Sequence, residues 1–277
     1  MKKLIFAIVA LLCVACTSDD EKQDVKLTKT FTFDVAHNYG TRGSLQGDGG
    51  QMTDLWLFDY VDGQLVQTIH QTSEDDDFGT PSISLTYGSH HVYFVASRGD
   101  SPVVNTANHT ITWNIVRDSF WSDEAIEVDA SVQTNRSVLL DRVVTRLRVL
   151  VKDEVPATLA TINLHIDNWY FGLDYITGEA ASAGVRDSEF TIPESLHGTT
   201  GQLSMSLYGF SGEEIWTTNL SMVAKASDNS VLGQATISNA PFKRNRITIY
   251  EGNLFNSAGG IDVGLNTEWT QEFTGQW

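Results

Sequence analysis

The residues of this sequence best placed for covalent chemistry are two cysteines, Cys13 and Cys16, and both lie close to the N-terminus. A pair of lysines, the apolar run Leu4–Leu12 and the small residue Ala15 precede Cys16. This order is typical of a secretory signal peptide over residues 1–15, and its apolar run is too short to span a bilayer. We expect cleavage before Cys16 and acylation of its sulfur. The alternative is that Cys16 is an ordinary apolar residue of a signal peptide that is cut elsewhere.

The rest of the chain offers little that predicts catalysis. It holds no further cysteine, so a disulfide, a thiol nucleophile and a cysteine-based metal site are excluded there. His90 and His91 are adjacent, and neighbouring residues of a strand face opposite sides, which prevents joint chelation of one metal. The run from Glu74 to Asp77 lacks the alternating ligands and the turn glycine of a calcium loop. The motifs of metalloproteases, P-loop NTPases and serine hydrolases are absent. We therefore predict a protein that is not an enzyme and that uses no cofactor or metal.

Tryptophan is the remaining residue type with a binding chemistry of its own, because its rings stack on sugars. Most of the seven tryptophans lie in strand-like apolar runs, where core packing is the default expectation. The two least obviously buried are Trp121 and Trp277. The full set is Trp56, Trp113, Trp121, Trp169, Trp216, Trp269 and Trp277.

The net charge of −17 excludes a nucleic-acid partner, because phosphate binding needs clustered lysine and arginine. Residues 16–26 contain a polar, acidic stretch after the cysteine, and its composition predicts a solvated tether.

The elements that follow are predicted to be strands. Thr30–Val35 alternates Phe31, Phe33 and Val35 on one face. An Asp-Gly pair at Asp62 joins two strand-like runs and predicts a hairpin. Residues 91–96 predict a buried central strand, whereas residues 120–125 are compatible with a helical turn.

The second half has the same character. Residues 138–151 form an apolar run of ambiguous period, and their β-branched content favours a strand over a helix. Further strand-like runs separated by Gly, Asn, Asp and Ser turns continue to the C-terminus. We predict an all-β protein with two tandem β-sandwich domains, residues 27–136 and 137–277.

The order of these segments resembles the Bacteroidetes fimbrillin family of fimbrial subunit lipoproteins. The resemblance covers nearly the whole chain. It rests on the first strand TFTFDV, the loop Gly40–Gly43, the strand HHVYFVASRGD, the element Arg142-Val143-x-x-Arg146, and Pro241–Asn245 leading to the terminal tryptophans.

The resemblance implies two transthyretin-like sandwiches, export as a lipoprotein to the outer membrane, and assembly by strand exchange. An arginine-specific protease would cut after Arg42, and the first strand, with Phe31, Phe33 and Val35, would leave. A strand of another fimbrial subunit would then fill the groove by β-augmentation, and the candidate for that strand is the C-terminal segment with Trp269, Phe273 and Trp277.

Two alternatives remain open at the level of sequence. Within the family, the chain could be an anchor or tip subunit that keeps its first strand, in which case Arg42 is an ordinary loop residue. From a different class, it could be a surface glycan-binding lipoprotein, which would require coplanar exposed aromatic rings, with Trp121 and Trp277 the first candidates.

Overall fold

The structure is a computed structural model that describes residues 27–38, 42–44 and 52–255. Over these residues the chain is almost entirely β, which confirms the all-β prediction, and the only helical element is the single 3₁₀ turn Glu194–Leu196. None of the described helical segments is long and apolar enough to cross a membrane. The strands are β1 (Thr28–Asn38), β2 (Arg42–Ser44), β3 (Asp54–Val61), β4 (Gln64–Thr72), β5 (Ser82–Thr86), β6 (Gly88–Ser97), β7 (Asp100–Asn105), β8 (Thr110–Ile115), β9 (Ser119–Val128), β10 (Asn135–Arg142), β11 (Val144–Val151), β12 (Leu159–Asp174), β13 (Glu179–Thr191), β14 (Leu203–Phe210), β15 (Trp216–Ala226), β16 (Val231–Phe242) and β17 (Ile247–Gly252).

The first half folds as one sheet of eight strands bent into two leaves. Its order is β2-β1-β10-β9-β6-β3-β4, and β5 also pairs with β1. The bend lies between β10 and β9, which share only two residue pairs. One leaf contributes Phe33 and the other Phe94, and these rings meet edge to face with centroids 5.0 Å apart. The leaves therefore enclose a core, which we call the first core.

The second half places a three-stranded sheet, β14-β11-β17, against a sheet ordered β16-β15-β12-β8-β7, with β13 paired to β12. Apolar residues of both sheets form the second core around Trp169, Leu164 and Leu220. A third cluster lies between the two halves. It joins Phe58 of β3 to Tyr175, whose rings stack with centroids 3.9 Å apart.

The hairpin predicted at Asp62 is present. Asp62 and Gly63 both have positive φ, 49° and 73°, as a two-residue primed turn requires, and they connect β3 to β4. Residues 120–125, compatible with a helical turn in the sequence, instead belong to strand β9, which pairs with β6 along its length.

Strand pairing crosses the predicted division between residues 136 and 137 twice. β10, which begins at Asn135 and continues across the division to Arg142, pairs with β1 and β9 of the first sheet. The β7–β8 hairpin, which precedes it, joins β12 of the second half. The apolar run 138–151 is split at Val143, whose amide donates to the Ser119 carbonyl at 3.0 Å. Because of this break, the part of the run before Val143 pairs in the first sheet as β10, and the part after it pairs with β14 and β17 as β11.

Candidate functional site

Strand β1 is the element on which the predicted assembly site depends. Its side chains alternate, because successive residues of a strand face opposite sides of the sheet. Phe31, Phe33 and Val35 are at most 1% exposed and belong to the first core, whereas Asp34 between them is exposed. The ring of Phe31 stacks on Phe33 at a centroid distance of 6.3 Å. The strand therefore acts as one wall of the first core.

Both edges of β1 are hydrogen-bonded. On one side Thr32–His37 pairs in parallel with β10. On the other side Thr28–Thr32 pairs with β5, and the amides of Phe33 and Val35 donate to the carbonyls of Pro81 and Gly79 at 3.0 and 2.9 Å. Among the described strands β5 has no partner other than β1. Removal of β1 would unpair β5 as well as open the core.

The outer face of β1 carries a short polar ladder. The hydroxyl groups of Thr30 and Thr32 are hydrogen-bonded to those of Ser84 and Ser82 at 3.1 and 3.0 Å. At the start of the strand, outside this ladder, the Lys29 ammonium donates to the Ala130 carbonyl at 2.6 Å. These contacts are exposed and add little stability, so the apolar face dominates the energetics of β1.

Arg42 was expected in a loop, but its backbone lies in the three-residue strand β2. There Arg42 pairs with Asn38 and Gly43 pairs with His37, antiparallel to β1. β2 is the terminal strand of its sheet, so within the described residues only one of its edges is paired. The other predicted site residues, Cys16 and the set Trp269, Phe273 and Trp277, lie outside the described residues.

The two arginine-containing motifs converge at the junction of the halves. Arg142 is 6% exposed and donates from Nε and Nη2 to both oxygens of Asp118, at 2.6 and 2.9 Å. Its Nη1 donates to Oδ1 of Asn245 at 3.3 Å, and the Asn245 amide donates to the Val144 carbonyl. The bidentate pair fixes the guanidinium plane. Asp118 was missed by sequence reasoning, since nothing in its own neighbourhood marks it as a partner of Arg142.

Arg244 completes the junction from the second motif. Its Nε donates to the Ser211 carbonyl at 3.0 Å, and its Nη2 donates to the Gly178 carbonyl. Gly178 has φ +69°, and a Cβ added there would lie 2.7 Å from the ring of Trp121. The Trp121 ring therefore covers a turn that only glycine fits, and its Nε1 donates to the Tyr175 carbonyl at 2.8 Å.

The described tryptophans do not form a sugar-binding platform. Trp56, Trp113 and Trp169 are at most 3% exposed, which confirms their predicted place in the core. Trp121 and Trp216 are half-buried, the first at the junction and the second against the second core. Coplanar exposed indole rings are thus not found among residues 52–255.

A buried histidine–aspartate pair lies within the first sandwich. Nδ1 of His90 lies 2.7 Å from Oδ1 of Asp59, and Nε2 of His90 lies 2.9 Å from the Thr86 carbonyl. Burial raises the pKa of the Asp59 carboxyl. No group of three histidine, cysteine or acidic side chains within the described ranges is arranged to hold a metal ion.

The fold that carries these features is shared with several proteins of known structure. A "putative adhesin" of Bacteroides ovatus superposes with a TM-score of 0.52 at 10% identity, over 89% of this chain and 96% of that one. A protein of Bacteroides thetaiotaomicron described as a "putative polysaccharide binding" protein superposes at 0.51 and 10% identity, over 81% and 92%. The tip fimbrial protein Mfa3 of Porphyromonas gingivalis matches over 87% and 100% at 12% identity, with a TM-score of 0.45.

The superpositions with TM-scores above 0.5 show that the chain shares the fold of these Bacteroides proteins, and at the level of fold this agrees with the resemblance expected from the sequence. Residues 101–276 match the model of a family of unknown function, DUF6562, and the chain belongs to that family. No curated protein matches the sequence.

Proposed function

We propose that the protein is a structural subunit of a bacterial surface fimbria and contributes to cell adhesion. The observation that carries the proposal is strand β1, a near-terminal segment that closes the first core through Phe31, Phe33 and Val35 and leads directly to Arg42 in an edge strand. The fold shared with Bacteroides adhesins supports the same role.

In this proposal the chain is exported as a lipoprotein anchored in the outer membrane through Cys16. Its residues 27–136 and 137–277 act as two transthyretin-like sandwich domains, except that the β7–β8 hairpin pairs with the second sandwich and β10 pairs with the first. An arginine-specific protease binds the free edge of β2, since proteases take substrates in extended form, and cuts after Arg42.

Release of β1 opens a groove that drives polymerisation with other fimbrial subunits. Burial of two phenylalanines and one valine stabilises the closed state by on the order of 5–9 kcal/mol, at ~1.5–3 kcal/mol for each large apolar side chain. A donor strand must supply comparable side chains at even spacing. Trp269, Phe273 and Trp277 have that spacing, so they share one face of an extended segment.

An anchor or tip subunit that keeps β1 is the second candidate. It is favoured by the hydrogen bonds on both edges of β1, because the strand must break two ladders and release β5 before it leaves. The two candidates differ only in whether Arg42 is processed and β1 is exchanged.

The test is incubation of the purified chain with an arginine-specific protease while mass and oligomeric state are followed together. A polymerising subunit gives a cut after Arg42, loss of the fragment that contains β1, and multimers that resist SDS. The matched control is Arg42→Gln, which keeps the length and polarity of the side chain and should stay intact and monomeric. A chain that is cut but remains monomeric, or that is not cut, excludes strand exchange for this protein and favours an anchor, tip or glycan-binding role.

A further inference from the structure

A cavity in the second half lies outside the assembly site. It has a volume of about 330 Å³ and lies where β12 and β13 pass the outer edge of β14, next to the connection from β8 to β9. Three arginines and four aromatic residues line it together with smaller side chains. The arginines are Arg117, Arg146 and Arg186, and the aromatic residues are Trp169, Phe171, Phe190 and Tyr208.

The cavity is positively charged in a chain whose net charge is −17. Among the described residues, none of the side chains that line it is acidic. The Arg186 guanidinium donates from Nε to Ser188 Oγ at 2.8 Å and from Nη1 to the Asn114 carbonyl at 3.2 Å, and both partners are neutral. Burial lowers the pKa of Arg186 from its usual value, yet an arginine remains charged in proteins. Arg117 is exposed and forms no ion pair within residues 52–255.

Aromatic rings hold two of the guanidinium groups in place. Cζ of Arg186 lies 6.0 Å from the centroid of Phe171, and Cζ of Arg146 lies 5.4 Å from the centroid of Tyr208. Nη2 of Arg146 donates to Ser206 Oγ at 3.0 Å. Cation–π contacts of this kind restrict the orientation of a planar guanidinium group, which lowers the conformational entropy that it loses when it binds an anion.

Strand geometry places these groups on one side. Arg186 and Phe190 are separated by an even number of residues on β13, so they share a face, while Asp187 and Glu189 face the other way. The register of β12 against β13 shifts between Ile166 and Trp169, just before the two β12 residues that line the cavity. Positive charge and apolar rings thus meet in one concave site.

We propose that this cavity binds a carboxylate-bearing ring compound of the sugar-acid class. Guanidinium groups take the carboxylate as a bidentate partner, and the half-buried rings of Phe171 and Phe190 pack on the apolar face of the sugar. The volume lies at the lower end of the range for small-ligand pockets, which fits one monosaccharide unit. A bare inorganic anion would leave the aromatic lining uncovered. The site is independent of strand exchange, because no residue of β1 or β2 lines it.

The experiment is calorimetric titration of the full chain with D-glucuronate, D-glucose, acetate and inorganic phosphate in the same buffer. Glucuronate is expected to bind at least 10-fold more tightly than the other three, since only it offers both carboxylate and ring. Arg186→Gln and Arg117→Gln should each weaken glucuronate binding by about 10-fold. The second variant changes an exposed side chain, so it folds even where the first does not.

The matched control is Arg136→Gln, which removes the same charge from the first half, where Arg136 pairs with Glu124. It should leave glucuronate binding unchanged. Equal affinity for phosphate and glucuronate would show that the cavity binds anions without preference for a sugar ring, which would overturn the proposal. So would an equal loss in the Arg136 variant, or absence of glucuronate binding to the unaltered chain.

Discussion

Truncation of Phe33 to alanine should remove a large part of the stability of the first sandwich. The Phe33 side chain is 0% exposed, stacks near Phe31 and meets Phe94 edge to face at 5.0 Å. Loss of its transfer free energy, together with the cavity left in a closed core, costs about 3–5 kcal/mol for a buried phenylalanine. The control is Asp34→Ala, the next residue of the same strand, which is exposed and should change stability by less than about 0.5 kcal/mol.

Equilibrium urea unfolding followed by circular dichroism measures the difference. With a denaturant dependence of about 2 kcal/mol per molar, the Phe33→Ala midpoint should fall by roughly 1.5–2.5 M relative to the unaltered chain. A loss below about 1 kcal/mol, or a loss equal to that of Asp34→Ala, would show that β1 does not close the core. The groove on which strand exchange depends would then not exist.

The Phe33→Ala change, made in a peptide, tests whether side-chain packing controls assembly. After cleavage at Arg42, a synthetic peptide of residues 28–38 should occupy the open groove and suppress multimer growth. The corresponding peptide with Phe33→Ala should be a much weaker competitor, because it lacks one of the side chains that fill the core. If both peptides compete equally, side-chain complementarity does not control the exchange.

The remaining predictions concern the junction and one exposed histidine. Asp118→Ala leaves the Arg142 guanidinium buried without its carboxylate and should lower the free energy of unfolding in urea by about 3–5 kcal/mol. The double variant Asp118→Ala, Arg142→Met should recover most of that loss. If the losses of the two single variants instead add, the pairing of Arg142 with Asp118 is contradicted. A hydrogen bond from His165 to Asp187, 2.6 Å long, and the charges of Asp187 and Asp167 raise the His165 pKa above its usual 6.5. Its small stabilising effect should be complete below about pH 6.5 and disappear as pH rises through the folded-state pKa. NMR titration of the His165 ring tests this, and Asp187→Asn should move the midpoint down; an unmoved midpoint would exclude the pair.

The strands that sequence predicts well are those buried on both faces. β3 and β6 read as continuous apolar runs because each packs on the first core with one face and on the cluster between the halves with the other. β7 and β13 were missed because their residues are mostly exposed. Pairing with a neighbouring strand, rather than an apolar pattern of their own, makes them strands.

The candidate sites likewise differ in how well the sequence predicts them. The alternation of Phe31, Phe33 and Val35 is local, so sequence predicts their common burial. The partnership of Arg142 with Asp118 and Asn245 joins residues far apart in the chain, and the residues that line the arginine cavity come from five strands. Such sites depend on topology, and in particular on a break at Val143 that apolar periodicity does not reveal.

The packing of β3 explains how a groove could outlast the departure of β1. The face of β3 that points away from the first core is held by the second half: Phe58 stacks on Tyr175 at 3.9 Å, and Trp56 meets Trp113 edge to face at 6.2 Å. These contacts do not involve β1. The wall opposite β1 is therefore fixed independently, and we expect the emptied core to remain open to a donor strand instead of collapsing. An open apolar groove binds an incoming strand without the free-energy cost of a prior rearrangement, which favours strand exchange over misfolding.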